Sequence, residues 1–505
     1  MSPFETPAPA GDDYSPRHAY ENAIAAAGGR VRIERDSLGE LAVPADAYWG
    51  IHTARALINF PITRRAIYNY PDLVIALATV KLAAARANAR LGHLDPAKAA
   101  AIEQACQEII GGSLHGEFRV GVVQGGAGTS TNMNANEVIA NRALEILGHE
   151  KGDYARLHPI DDVNRSQSTN DTYPTSIKFA MMLGIVRLLG EHRALADAFR
   201  AKGDEFAAVL KVGRTQLQDA VPMTVGQEFH GWAHTLDEDQ IVLEAVIPAL
   251  TETNLGATAI GTGITADPRY AEAIRVELGA LSPVPVTTAP DLIEATSDAG
   301  VFMTVSGALR RAAVKLSKIC NDLRLLASGP QAGLGELILP ARQAGSSIMP
   351  GKVNPVIPEV VNQVAFAVIG ADATVTAAAE AGQLQLNAFE PIMANSLLQS
   401  LAWMSNACYT LRVNCVEGIE VDRARLRAMV DSSVGVVTAL TPYIGYQAAA
   451  ELAHEALQSH VGVRRLVLDR GLLPEELVDK VLSPERLSGL VPPTGAVPVQ
   501  DLDPR

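Results

Sequence analysis

From Ser297 the chain runs "SDAGVFMTVSGALRRAAVKLSKICNDLRLLAS", without proline. Its apolar positions Val305, Leu309, Ala312, Leu316, Ile319, Leu323 and Leu326 recur in steps of 4 and 3. That is a heptad seam held for more than four turns, and about thirty helical residues span ~45 Å. The segment 175–210 repeats the pattern with Ile177, Met181, Ile185, Leu188, His192, Leu195 and Phe199, where His192 reads as a core histidine. Segments 226–252, 356–381 and 392–416 read as three further long helices, and 71–92, 95–111 and 131–147 as shorter ones. Helices that are apolar on several faces must be covered on several sides. Five of them in one chain cannot cover one another, so the pattern predicts subunits packed bundle against bundle.

The remaining segments set the organisation. Residues 1–29 read as a disordered tail, 30–166 as an N-terminal domain, 167–420 as the central helical bundle, and 421–505 as a small helical domain with a Pro-rich tail. Hydrophobic residues make up 48% and aromatics only 5%, which suits helices packed by Ala and Leu. The net charge of −14 argues against nucleic acid or an anionic membrane as partner, but leaves room for a small anionic substrate at a locally positive site. Cys106, Cys320, Cys408 and Cys415 form no C-x-x-C pair and lack zinc-ligand spacing, so they read as buried, reduced thiols. The N-terminus has no apolar leader, and no run reads as a membrane span. The expectation is a soluble, cytoplasmic protein.

Polar segments interrupt the helices: "QGGAGTSTNMNANEV" (124–138), "HPIDDVNRSQSTNDTYPT" (158–175), "GRTQLQDAVPMTVGQEF" (213–229) and "GSSIMPGKVNP" (345–355). Each one alone is explained as a loop with helix caps. The last looks like a phosphate-binding loop, but five residues separate Gly345 from Gly351 and Val353 stands where a magnesium-binding hydroxyl is needed. Taken together the four supply helix N-termini, neutral hydroxyl and amide groups, and the cation of Lys352. That inventory suits a small dicarboxylate. There is no metal-ligand cluster and no G-x-S-x-G elbow.

"GSSIMPGKVNP" closely resembles the signature of the aspartase/fumarase superfamily. "GGAGTSTNMNANEV", "SQSTND", "GRTQLQDAVPMTVGQE" and "AEAGQLQLNAFEP" (379–391) resemble its other segments, in its order, over residues 32–485. The resemblance implies an all-α fold in three domains, with central helices that assemble four subunits into a twenty-helix core, and active sites shared between three subunits. It implies that Ser346 is the base that removes a proton next to a substrate carboxylate. It implies substrate contacts from Thr129, Ser168, Thr169, Asn170, Thr215, Gln216, Ser347, Lys352 and Asn354, with no metal in the site. No cofactor is required, and activation by a divalent cation such as magnesium is left open. His158 to Asn164 resembles a stretch that forms a secondary dicarboxylate site in fumarases.

The third segment bears on the leaving group. Fumarases carry a histidine after "GRT", whereas this chain has Gln216. Hydroxide needs a proton from a general acid in order to leave, while an ammonium group already carries its protons. Glutamine cannot titrate near neutrality. The expectation is therefore elimination of ammonia from L-aspartate to give fumarate, which "GIHT" (50–53) also favours. Dehydration of L-malate is the alternative, suggested by "PYIGYQAAAELA" (442–453), and a non-catalytic structural role is a third reading.

Overall fold

The computed structural model describes residues 18–345 and 347–489, so Ser346 lies outside the described residues. Helices dominate. In chain order they are α1 (Ala19–Ala26), α2 (Ile51–Asn59), α3 (Pro71–Arg90), α4 (Pro96–Ile110), α5 (Thr129–Ile146), α6 (Thr169–Glu205), α7 (Val225–Ala245), α8 (Tyr270–Leu281), α9 (Gly300–Leu326), α10 (Val356–Glu380) and α11 (Glu390–Asn414). Shorter helices follow: α12 (Arg423–Ser432), α13 (Val437–Ile444), α14 (Tyr446–Ser459), α15 (Val463–Asp469) and α16 (Glu475–Val481). Two antiparallel hairpins accompany them, β1 (Val31–Asp36) with β2 (Gly39–Pro44) and β3 (Leu210–Thr215) with β4 (Gln218–Thr224). Two-residue strands pair at Glu252–Thr253 with Thr287–Thr288 and at Leu337–Ile338 with Glu420–Val421.

The seams lie where the periodicity puts them. Every seam residue from Ile177 to Phe199 on α6 is fully buried, and so, to within a few per cent, is every one from Val305 to Leu326 on α9. His192 is buried among them, and burial lowers its pKa to about 4, so it sits in the core as a neutral ring. The four cysteines are free and buried.

Some expectations are corrected. Residues 19–26, assigned to the disordered tail, form α1. Of the segment 213–229, read as a polar interruption beside a helix, residues 213–224 lie in the β3–β4 hairpin, which begins at Leu210. α6 begins at Thr169 rather than after Pro174. By length and composition α10 is apolar enough to cross a membrane, against the expectation that no run reads as a span.

The chain divides into two compact units. The first comprises residues 1–189, 241–311 and 366–404. In it α3 packs on α4 and α8, and α5 on α2 and α4. The second comprises residues 190–240, 312–365 and 405–505. In it Phe199, Phe206, Phe229 and Trp232 form an aromatic cluster with ring centroids 4.8–5.9 Å apart. Leu210 and Val212 at the base of the β3–β4 hairpin join the core of the C-terminal helices, with Leu440, Leu452, Val467 and Val478. The hairpin's tip, residues 215–219, is exposed.

Candidate active site

The first unit carries Thr129, Ser168, Thr169 and Asn170. Gly126, Ala127 and Gly128 all have positive φ, which turns the chain sharply into α5. A Cβ on Gly128 would fall 2.2 Å from the Tyr173 ring, so only glycine fits there. Thr129 is exposed at the start of α5, and its hydroxyl donates to the Gly126 carbonyl at 2.7 Å. The N-cap of α5 is Gly128, which has no side chain, so none of Thr129, Ser130 and Thr131 serves as the N-cap; Gln124 instead accepts from the Thr131 N–H at 3.0 Å.

It does hold for Ser168. The Asn170 N–H donates to the Ser168 hydroxyl at 3.2 Å, and the Ser168 N–H donates to Asp171 at 3.0 Å, a reciprocal pair. Pro174 lacks the N–H that would bond the Asn170 carbonyl one turn back. The Asn254 side chain donates to that carbonyl instead, at 3.0 Å. Asn170 in turn donates to the Ala259 carbonyl at 2.7 Å.

These two segments are joined from below by a buried polar network. Asn132 donates to the Thr169 hydroxyl and to Asn164, each at 3.1 Å, and Asn136 donates to the same Asn164 oxygen at 3.1 Å. Lys81, fully buried on α3, donates to Asn164 at 2.8 Å and to Gln167 at 2.9 Å. Burial brings Lys81 down to about 7, against the pull of Asp171. Asp171 is itself raised to about 6 by burial, yet every group bonded to it is a donor: Ser168 N–H, the Thr172 hydroxyl, Gly256 N–H and Thr258 N–H. That arrangement suits the carboxylate. Sequence reasoning missed Lys81. The available signal was a single charge inside the apolar run "LVIALATVKLAAA", which on a helix buried nearly all round has to find polar partners.

The fifth segment belongs to the same unit. Asn387 donates to the Ala378 and Ala379 carbonyls at 3.0 and 3.2 Å and accepts from the Phe389 N–H at 2.8 Å. Glu390 begins α11 buried, and burial raises its carboxyl to about 8. In the stretch likened to a secondary site, the His158 ring accepts from the Ile160 and Asp161 N–H groups at 3.1 and 3.2 Å, and Lys98 holds Asp162 at 2.8 Å.

The second unit carries Thr215, Gln216, Ser347, Lys352 and Asn354. Thr215 pairs with Gln218 across a two-residue turn. Gln216 and Leu217 form that turn with φ of 54° and 62°, a left-handed pair normally left to Asn and Gly. Both side chains are exposed. Below the turn, Lys211 is buried and meets Glu228 at 2.6 Å and Glu336 at 3.1 Å, while Arg214 meets Glu336 at 2.5 Å. These paired charges fix the strand that delivers Thr215.

The 345–355 loop is pinched at its stem. Gly345 N–H donates to the Lys352 carbonyl at 2.9 Å, and the Asn354 side chain donates to the Gly345 carbonyl at 2.7 Å. A Cβ on Gly345 would lie 2.2 Å from the Lys352 carbonyl oxygen. Gly351 has a φ of 81°. Ser347, Lys352 and the residues between them are exposed, so the stem holds up a protruding tab. Asn354 therefore acts here as the tab's internal clasp. Among the described residues no group of three or more His, Cys, Asp or Glu side chains could hold a metal ion.

Comparison with known proteins follows the same segments. The family described as "Lyase" matches residues 39–370, and that described as "Fumarase C C-terminus" matches residues 436–489. The aspartate ammonia-lyase of Pseudomonas aeruginosa is 57% identical over 457 residues, covering 90% of this chain and 96% of that one. The aspartate ammonia-lyase of Escherichia coli is 49% identical over 458 residues, with 90% and 96% covered. A fumarate lyase:delta crystallin structure from Brucella melitensis, bound to cobalt, superposes with a TM-score of 0.88 at 54% identity, covering 91% of this chain and 99% of that one. A class II fumarase structure from Schistosoma mansoni gives 0.85 at 34% identity, with the same coverage. The chain belongs to the lyase family of the aspartase/fumarase superfamily.

Proposed function

We propose that the protein is an aspartate ammonia-lyase, converting L-aspartate reversibly to fumarate and ammonia. The observation that carries this reading is identity of 49–57% to curated aspartate ammonia-lyases over nine-tenths of the chain. The chemistry of the turn at 216 favours the same choice. An amide can hold an ammonium or ammonia but cannot protonate a departing hydroxide.

In this reading Ser346, as its alkoxide, takes the Cβ proton. The electron pair enters the adjacent carboxylate to give an aci-carboxylate, and collapse of that intermediate breaks the Cα–N bond and releases ammonia. Lys352 and the remaining amide N–H of Asn354 hold the carboxylate as its charge grows, and Ser347 and Gly351 are suited to stabilise the alkoxide. Thr129, Ser168, Thr169, Asn170 and Thr215 bind the dicarboxylate. No cofactor is required and the site holds no metal; a divalent cation such as magnesium would serve as an activator. The tab at 345–355 closes over the substrate and excludes water.

Each active site draws its segments from three subunits of a homotetramer working in the cytoplasm. Exposed apolar residues on the long helices support the assembly: Val186 on α6, Val314 on α9, Phe366 and Ile369 on α10, and Tyr409 on α11. Light scattering on the purified protein is expected to give four subunits, and an active monomer at micromolar concentration would overturn the shared site.

The decisive test of the activity follows fumarate by ultraviolet absorbance with L-aspartate and with L-malate. The ratio of kcat/KM is expected to favour L-aspartate by at least two orders of magnitude, the size of a general-acid contribution. A ratio favouring L-malate would assign the protein to the fumarases despite its glutamine.

A further inference from the structure

The start of α2 is closed by carboxylates from elsewhere in the first unit. Glu137 on α5 accepts from the N–H groups of Gly50 (2.8 Å), His52 (2.7 Å) and Thr53 (3.2 Å), and from the Thr53 hydroxyl (2.7 Å). Glu34 on β1 accepts from the Ile51 N–H at 2.8 Å. The free donors at this helix start are thus all taken. A Cβ on Gly50 would lie 2.6 Å from a Glu34 oxygen, so the approach is close.

The helix so fixed delivers His52 and Arg55 to a cavity of about 220 Å³, which Gly125, Thr129, Ser130 and Met133 also line. Arg55 is committed to Asp36, with two bonds of 2.6 and 2.7 Å. The Thr129 hydroxyl has given its proton to Gly126 and presents lone pairs. No described residue bonds the His52 ring. Asn59 and the Ser130 hydroxyl also line the cavity; beside Thr129 the lone pairs come from that residue's own hydroxyl and from the His52 ring, and an ammonium group is a donor with no lone pair.

We propose that His52 touches the substrate and selects the amine, its neutral imidazole accepting a hydrogen bond from the ammonium group of the bound amino acid. The inference rests on the aspartate reading above and adds the residue that recognises the nitrogen. Burial lowers the basicity of this ring, helped by Arg55 and His158 and opposed by Asp36 and Glu34. Near neutrality the ring is an acceptor, and a protonated ring would repel the ammonium it is meant to hold.

The test separates the amine from the two carboxylates. KM for L-aspartate and the competitive inhibition constant of succinate, the same dicarboxylate without nitrogen, are measured on the full-length protein, on His52→Ala and on His52→Gln. His52→Ala is expected to raise KM roughly tenfold, the effect of one charge-assisted hydrogen bond, and to leave the succinate constant within about twofold. His52→Gln keeps an acceptor oxygen and should recover most of the loss; it also carries the test if the alanine variant does not fold. The proposal is overturned if KM stays unchanged, or if both constants rise together, since a purely structural role moves both. An unmodified protein that releases no fumarate from L-aspartate overturns the activity reading itself and this assignment with it. Turnover by the unmodified protein without the KM split overturns His52 alone.

Discussion

Ser346→Ala is expected to fold normally and to lose nearly all turnover of L-aspartate. The hydroxyl belongs to a tab whose neighbours, Ser347 to Val353, are exposed, so its removal should leave the thermal midpoint within a degree or two. The effect on rate is large because proton removal from carbon has no second base to use. Loss of a positioned base costs about 10²–10⁴ in kcat, or roughly 3–5 kcal/mol of barrier. The accompanying readout is the affinity for succinate, which needs no base and should hold within about twofold. Near-normal turnover in the variant would mean that another group takes the proton. A collapse in succinate binding would mean that the tab had lost its shape rather than its chemistry.

Glu137→Ala is expected to give the largest loss of stability of any single substitution considered. One side chain accepts four hydrogen bonds at the start of α2, and all four donors are buried or partly buried. Burial and the neighbouring Glu34 raise the Glu137 carboxyl to about 7, and the bonds from Thr53, Gly50 and His52 draw it back. Every group aimed at it is a donor, so the site is built for the carboxylate. Removing it strands those donors without their charged acceptor, at about 3–5 kcal/mol. The checks are the thermal midpoint, which should fall by several degrees, and hydrogen exchange at residues 50–53, which should lose protection. Because α2 carries His52 and Arg55, KM for L-aspartate should rise in the same variant. Unchanged exchange at 50–53 would show that α2 is held by its packing alone.

The two substitutions mark what the sequence does and does not disclose. The seams of α6 and α9 were legible because a 3.5-residue repeat is a local property, and the buried set follows from it residue by residue, His192 included. The hairpin at 210–224 was not legible, because "TQLQ" contains neither Gly, Asn nor Pro at its turn and so gives no turn signal. The segment identities of the site could be read through resemblance. Their supports could not: Lys81 and Glu137 act over 83 and 87 positions of chain, on Asn164 and Gly50, and no short motif encodes a partner that far away. The start of α6 was missed for a related reason. Pro174 argues for a boundary on local grounds, and the compensating donor comes from Asn254, some 80 residues later.

The turn at Gln216 and Leu217 has a bearing on laboratory evolution. Two non-glycine residues with positive φ each cost on the order of 1 kcal/mol or more relative to a residue at ease in that region. A library screened for heat resistance alone would therefore enrich Asn-Gly at 216–217, a routine route to a stabler protein. It would do so by shortening the amide side chain at 216 by one methylene and so drawing it back from the leaving group it is proposed to hold. On this scaffold a heat-resistance screen without an L-aspartate assay would select against turnover while raising the thermal midpoint.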